Sequence, residues 1–263
     1  MLKGLGQKAK RAKMKNEELL IALIALLEAE LKPSERAFYR ARFSGFSLFR
    51  ALVNTRPAKA ASNELLALEK LYLQSLLEER GIVKISPKDE KEPNIFLLQA
   101  DITKLKCEAI VNAANEALLG CFAPCHSCVD NAIFTFAGIK LRLECSNLMQ
   151  GAKEKIGRAK ITKAYNLPSK YIIHTVGPAP LGRLTKLHKE QLASSYTSCL
   201  DLALLRGLKE IAFCCISTGV FGFPQEEAAK IAVEVARKYS KKIRIIFNVY
   251  LDEDHEIYEK LLR

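Results

Sequence analysis

Four side chains able to ligate a metal fall within eight residues, Cys121-Phe-Ala-Pro-Cys125-His126-Ser-Cys128. Thiolate and imidazole at this spacing suit Zn2+. No second Cys/His cluster in the sequence completes a structural four-ligand finger. Three protein ligands with one open position would instead be the arrangement of a catalytic ion. The same spacing also fits a redox or plainly reduced thiol cluster. Just upstream, polar residues stand where apolar runs end. The run IFLLQ leads to Asp101, and AIV leads to Asn112 and Asn115. The ends of strands are where an α/β sheet binds ligands. Asp101 could accept a hydrogen bond from a ligand amino group, or cap the turn that follows it. Asn112 and Asn115 could hold a sugar hydroxyl, or cap the next helix.

A second candidate loop follows the run IAFCCI: Ser217-Thr218-Gly219-Val220-Phe221-Gly222-Phe223-Pro224. Two glycines let a backbone approach a ligand closely. Successive N–H groups ahead of a helix make an anion-binding concavity. No Gly-Lys-Ser/Thr follows, so this is not a P-loop, and the spacing is not GxGxxG. An ordinary β–α turn is the competing reading. No Ser/His/Asp triad is visible, and His174, inside YIIHTV, reads as a core histidine.

The elements that must position these groups fall into two parts. Residues 16–80 are helical in pattern: NEELLIALIALLEAEL, a turn and new start at Pro33-Ser34-Glu35, SLFRALVNTRP, and SNELLALEKLYLQSLLEER with Ser62 or Asn63 as N-cap. Their apolar faces must be buried, most simply against the rest of the protein. ISPKDEKEP reads as a polar linker, and the boundary is placed near residue 90, giving parts 1–90 and 91–263. Beyond it, strand-like runs alternate with helical stretches such as VDNAIFTFAGIKLRLECSNL, KEQLASSYTSCLDLALLRG and QEEAAKIAVEVARKY. Continuous apolar strands alternating with helices imply an α/β fold, its mostly parallel sheet covered on both faces.

Composition narrows the function classes. The 263 residues are 49% apolar, enough for a full core, and the formal charge is +12. Six Lys/Arg and no acid lie in MLKGLGQKAKRAKMK. This reads as a solvated basic tail. No aromatic residue interleaves with the charges, which argues against a nucleic-acid arm. No apolar run spans a bilayer, and no secretory signal or secreted disulfide framework is recognisable. A cytoplasmic protein without a membrane partner is expected. Cys199, Cys214 and Cys215 sit in apolar stretches and read as inert core thiols.

DIT, VNAAN and STGVFGFP, in this order, resemble the macrodomain, an ADP-ribose-binding α/β fold. The block LLGCFAPCHSCVDNAIFTFAGIKLRLEC resembles its zinc-containing subclass, protein-ADP-ribose hydrolases associated with sirtuin-type ADP-ribosyltransferases. AKITKAYNLPSKYIIHTVGP fits the same subclass, and the likeness begins near Leu48. It implies a mixed, mostly parallel central sheet flanked by helices, plus an N-terminal helical region. It implies that Asp101 and the backbone of Ile102 recognise adenine. Asn112 and Asn115 would lie near the distal ribose, with Asn115 matching the catalytic-loop position. Cys121, His126 and Cys128 match the zinc ligands, one ion per chain, and Cys125 does not. Ser217, Thr218, Gly219, Val220 and Phe221 match the loop that wraps the diphosphate, and Cys121 borders the ligand.

Two residues depart from the pattern. Phe134 stands where His is expected, and Val220 where zinc-containing members often carry an acid. The implied reaction is removal of mono-ADP-ribose from a modified protein, through an ester to Asp or Glu. The implied partner is a lipoyl-carrier protein modified by a sirtuin. The alternative is a module that binds ADP-ribose without cleaving it.

Overall fold

The computed structural model describes residues 16–180 and 182–262. The basic tail expected from the sequence lies outside them. Four helices come first: α1 (Asn16–Ala29), α2 (Pro33–Arg40), α3 (Gly45–Thr55) and α4 (Asn63–Arg80). Ser62 caps α4 as expected, its Oγ accepting from the Leu65 N–H at 3.1 Å, a contact worth about 1 kcal/mol. Gly81, at φ 73°, ends the helix.

The chain continues through β1 (Val83–Lys84), β2 (Glu90–Glu92), β3 (Ile95–Gln99), β4 (Leu105–Lys106), β5 (Ala109–Ala113), α5 (Val129–Ala137) and α6 (Ile139–Met149). It then passes through β6 (Ala159–Lys163), β7 (Tyr171–Thr175), α7 (Lys186–Leu205), β8 (Glu210–Phe213), α8 (Gln225–Tyr239), β9 (Arg244–Val249) and α9 (Asp252–Leu261). Seven strands form one sheet in the order β2-β3-β9-β8-β5-β7-β6. The five inner strands are parallel, and β2 and β6 add antiparallel edges. Ile110, Val111, Ile172, Ile173, Ile211, Ile245 and Ile246 are buried at the centre, as continuous apolar strands covered on both faces require. All five parallel strands point the same way, so the turns after β3, β5, β8 and β9 share one edge.

Several details differ from the sequence expectation. The supposed linker contains a 3-10 turn, Pro87–Asp89, and the edge strand β2. Its charged residues are tolerated because an edge strand faces water. Val83 and Lys84 already pair with Leu105 and Lys106, so sheet pairing starts just after the last helical residue, Arg80. The stretch VDNAIFTFAGIKLRLECSNL is two helices, because Gly138 adopts φ 91°. There a Cβ would come within 2.7 Å of Glu69. The apolar faces of α1, α3 and α4 bury mainly against one another around Leu23, Phe49, Leu65 and Tyr72. Ile139 and Phe136 join that cluster from the sheet domain, and Phe46 stacks on Phe136 at 6.0 Å.

Candidate active site

The turn after β5 carries the metal-competent loop. The donor atoms of Cys121, His126 and Cys128 all lie within 4.8 Å of one another. His126 Nδ1 is buried and has no hydrogen-bond partner. An orphaned, buried imidazole nitrogen on a residue grouped with two thiols fits a metal-ligand set. The donors therefore fit a tetrahedral metal of zinc type. Cys125 stands outside the group, its thiol donating instead to the Ser47 carbonyl at 3.2 Å. Cys128 is the N-cap of α5 and accepts from the Asn131 N–H at 3.4 Å. Burial pushes its thiol up to about 11, opposed by that hydrogen bond.

Asn115 sits at the start of the same turn, half-buried. Its Oδ1 accepts from Ala117 N at 3.0 Å and its Nδ2 donates to Gly120 O at 3.1 Å. These bonds fix the bend that leads into Cys121. Gly120, at φ 81°, lies directly on Phe134, where an added Cβ would come within 2.6 Å of the ring. Phe134 is 2% exposed and also packs beside His174. It is thus a floor beneath the loop.

Asn112 is wholly buried rather than at the mouth. Its Nδ2 lies 2.7 Å from Asp130 Oδ1 and 3.1 Å from His174 Nδ1. His174 is the expected core histidine: burial pushes it down to about 3, and Thr162 Oγ1 contacts its Nε2 at 2.9 Å. Asp130 gave no signal in the sequence because an acid in the first turn of a helix normally complements the dipole. Here burial raises its carboxyl to about 6, against the opposing pull of Asn112 and Arg142. Arg142, 4% exposed, donates to the carbonyls of Leu119, Val53 and Arg56, and its guanidinium lies 4.4 Å from the Phe122 ring.

At the far end, Asp101 follows β3. It does cap the next turn, accepting from Thr103 N at 2.9 Å, and it pairs with Arg80 of α4. Its side chain nevertheless keeps 35% exposure. Ile102 is buried beside it. On the neighbouring strand, Tyr250 closes β9 with 74% exposure, an aromatic face that the sequence pattern did not single out. Cys199 and Cys214 are buried core thiols as expected, Cys215 is only partly buried, and all eight cysteines are free.

The loop after β8 faces the same edge. Ser217 adopts φ 69° and its buried Oγ has no partner. It abuts Gly177, which leaves no space there for a Cβ. Phe223 N–H donates to Ser217 O at 3.0 Å and Gly222 N–H to Gly219 O at 2.9 Å, closing a tight turn ahead of α8. Thr218 Oγ1 donates to Cys215 O, leaving Gly219, Val220 and Phe221 at the tip, with Val220 74% exposed. A left-handed serine is uncommon and costs about 1–2 kcal/mol. Strain of this kind clusters at ligand sites.

The Macro domain family model matches residues 111–232. A protein from Treponema medium named protein-ADP-ribose hydrolase is 46% identical over 225 residues, covering 82% of this chain and 86% of its own. One of the same name from Staphylococcus aureus is 48% identical over 223 residues, covering 82% and 84%. The solved Trypanosoma brucei macrodomain in complex with ADP-ribose is 30% identical with a TM-score of 0.62, covering 81% of this chain and 95% of that one. The chain therefore belongs to the macrodomain family, together with these protein-ADP-ribose hydrolases.

Proposed function

We propose that this protein removes mono-ADP-ribose from modified proteins, reversing sirtuin-type ADP-ribosylation. The observation that carries the reading is that Asn115 and the Cys121–His126–Cys128 loop follow β5 while the strained Ser217 loop follows its parallel neighbour β8, at the same end of the sheet. The names of the Treponema and Staphylococcus relatives support it. Asp101 and the Ile102 backbone would receive the adenine amino edge, with the exposed Tyr250 ring beside them. The Ser217–Phe221 backbone would cradle the diphosphate. Asn115, held by two bonds to its own loop, would set the position of the distal ribose. The fully buried Asn112 would act from behind, through Asp130.

Cys121, His126 and Cys128 would hold one zinc ion. Bound there, zinc supplies a Lewis acid toward an oxygen lying next to the loop. An Asp or Glu ester is the favoured linkage on the resemblance to the zinc-containing hydrolases. A lipoyl-carrier protein would be the modified substrate. Eight free thiols suit the reducing cytoplasm. Among the described residues no helix is long and apolar enough to cross a membrane.

The linkage is tested by offering carrier protein ADP-ribosylated on Asp/Glu beside protein ADP-ribosylated on Arg. Release from the first and not the second is the expected result. Equal release from both, or release from the Arg-linked protein alone, rejects the ester assignment.

A further inference from the structure

Each residue of the metal-competent group is held by a contact that leads back to Asn131 or Arg50. Asn131 Nδ2 donates to Ala123 O at 2.9 Å and more weakly to Cys121 O at 3.5 Å, and its backbone N–H reaches Cys128 Sγ. Arg50 donates to His126 O at 2.7 Å. Its Nε and Nη2 also converge on Asn131 Oδ1, at 2.9 and 2.7 Å. A turn further along α3, Asn54 accepts from Cys125 N at 3.0 Å and donates to Thr135 Oγ1 at 3.0 Å. Thr135 in turn donates to Asn131 O at 2.8 Å.

The side chains of Arg50 and Asn54 fall at i and i+4, one face of a helix, with the Ser47 carbonyl one turn before Arg50. That face is spent on the loop. It grips Cys125 at both its N–H and its thiol, where the backbone takes φ 55°, a conformation disfavoured for a non-glycine residue. Anchoring of the helical region does not require these contacts. The Phe46–Phe136 stack, the Glu69–Ile139 bond and the Arg142 bonds to Val53 and Arg56 already join the two parts.

We infer that α3 is the template of the metal loop: Arg50 and Asn54 are positioning residues that hold Cys121, His126 and Cys128 in ligating geometry before any ion arrives. The helical region is then a working part of the centre. This rests on the reading of the cluster as a zinc site. Partners behind a ligand shell fix ligand orientation, and their loss weakens metal binding by about 10- to 100-fold.

The test is zinc affinity of the full chain, measured by competition with a chromogenic chelator and without reference to turnover. Arg50→Ala and Asn54→Ala should each weaken zinc by about 10- to 100-fold. Arg50→Lys, which keeps one donor toward His126 O, should recover part of the loss. Affinity for free ADP-ribose should stay unchanged in all three. The control is Arg40→Ala, which breaks the Arg40–Glu28 pair within the helical region and touches nothing in the loop. It should melt earlier yet bind zinc like the wild type. Wild-type zinc affinity in both Arg50→Ala and Asn54→Ala overturns the inference, as does equal weakening by Arg40→Ala. If Arg50→Ala does not fold, the zinc affinity of Asn54→Ala alone upholds or overturns it. A wild type that takes up no zinc rejects the metal reading itself, and the inference with it.

Discussion

Glu69 of α4 accepts a hydrogen bond at 3.0 Å from the backbone N–H of Ile139, across the seam between the helical region and the sheet domain. Burial raises its carboxyl from 4.5 to about 7, partly opposed by that N–H and by the charges of Arg56 and Lys140. The unfolded chain ionises Glu69 from about pH 4.5, whereas the native state keeps it protonated until about pH 7. Its contribution to stability is therefore full below pH 4.5, declines as pH rises to 7, and is flat above. The whole decline is about 3 kcal/mol. Denaturant unfolding across this range should show it, and Glu69→Gln should flatten the slope. An identical slope in the variant would mean that the carboxyl is not buried at this seam.

Phe134→Ala removes the floor under Gly120. A buried Phe-to-Ala change costs about 3–5 kcal/mol, and the protein should melt correspondingly earlier. Because the cavity opens beneath the loop, Asn115 should also lose its fixed setting, so turnover should fall more than ADP-ribose affinity. A variant with unchanged stability would show that Phe134 is not the support described here.

Metal analysis should find about one zinc per chain. Cys128→Ala should lose it, since both a ligand and the cap of α5 disappear. Cys125→Ala should retain most of it. The opposite pattern would reassign the ligands.

Asp101→Ala should weaken ADP-ribose binding by roughly ten- to a hundred-fold, the loss of a charge-assisted hydrogen bond of about 1.5–3 kcal/mol. Calorimetry reads this directly. An unchanged dissociation constant would leave Asp101 with only its observed bonds to Thr103 and Arg80.

The parallel strands were legible because buried runs such as AIV and YII carry a continuous apolar signal. The strand-end positions of Asp101, Asn115 and Ser217 followed from them. The edge strand β2 was not legible, since EKE has the composition of a linker and becomes a strand only by pairing with β3. The break at Gly138 was masked by strong helical periodicity on both sides. Asn112 was legible as a strand-end amide but not as a buried one, because its neighbours His174 and Asp130 are brought to it by other elements. Arg50 and Asn54 were legible only as part of the helical segment FRALVNTRP, not as contacts to the metal loop. Their partners lie 71 to 81 residues away, and a polar residue on an amphipathic helix ordinarily marks the solvent face.

The most direct test of the central claim is release of free ADP-ribose from a carrier protein mono-ADP-ribosylated on an acidic residue, followed beside binding of free ADP-ribose. The wild type should release it. Chelated protein and Asn115→Ala should release it far more slowly while still binding ADP-ribose, and Asn115→Ala should keep its zinc. Full turnover in both the chelated protein and Asn115→Ala would contradict the roles assigned to the loop. A wild type that binds ADP-ribose tightly but never releases it from such a protein would contradict the enzyme assignment and leave a binding module.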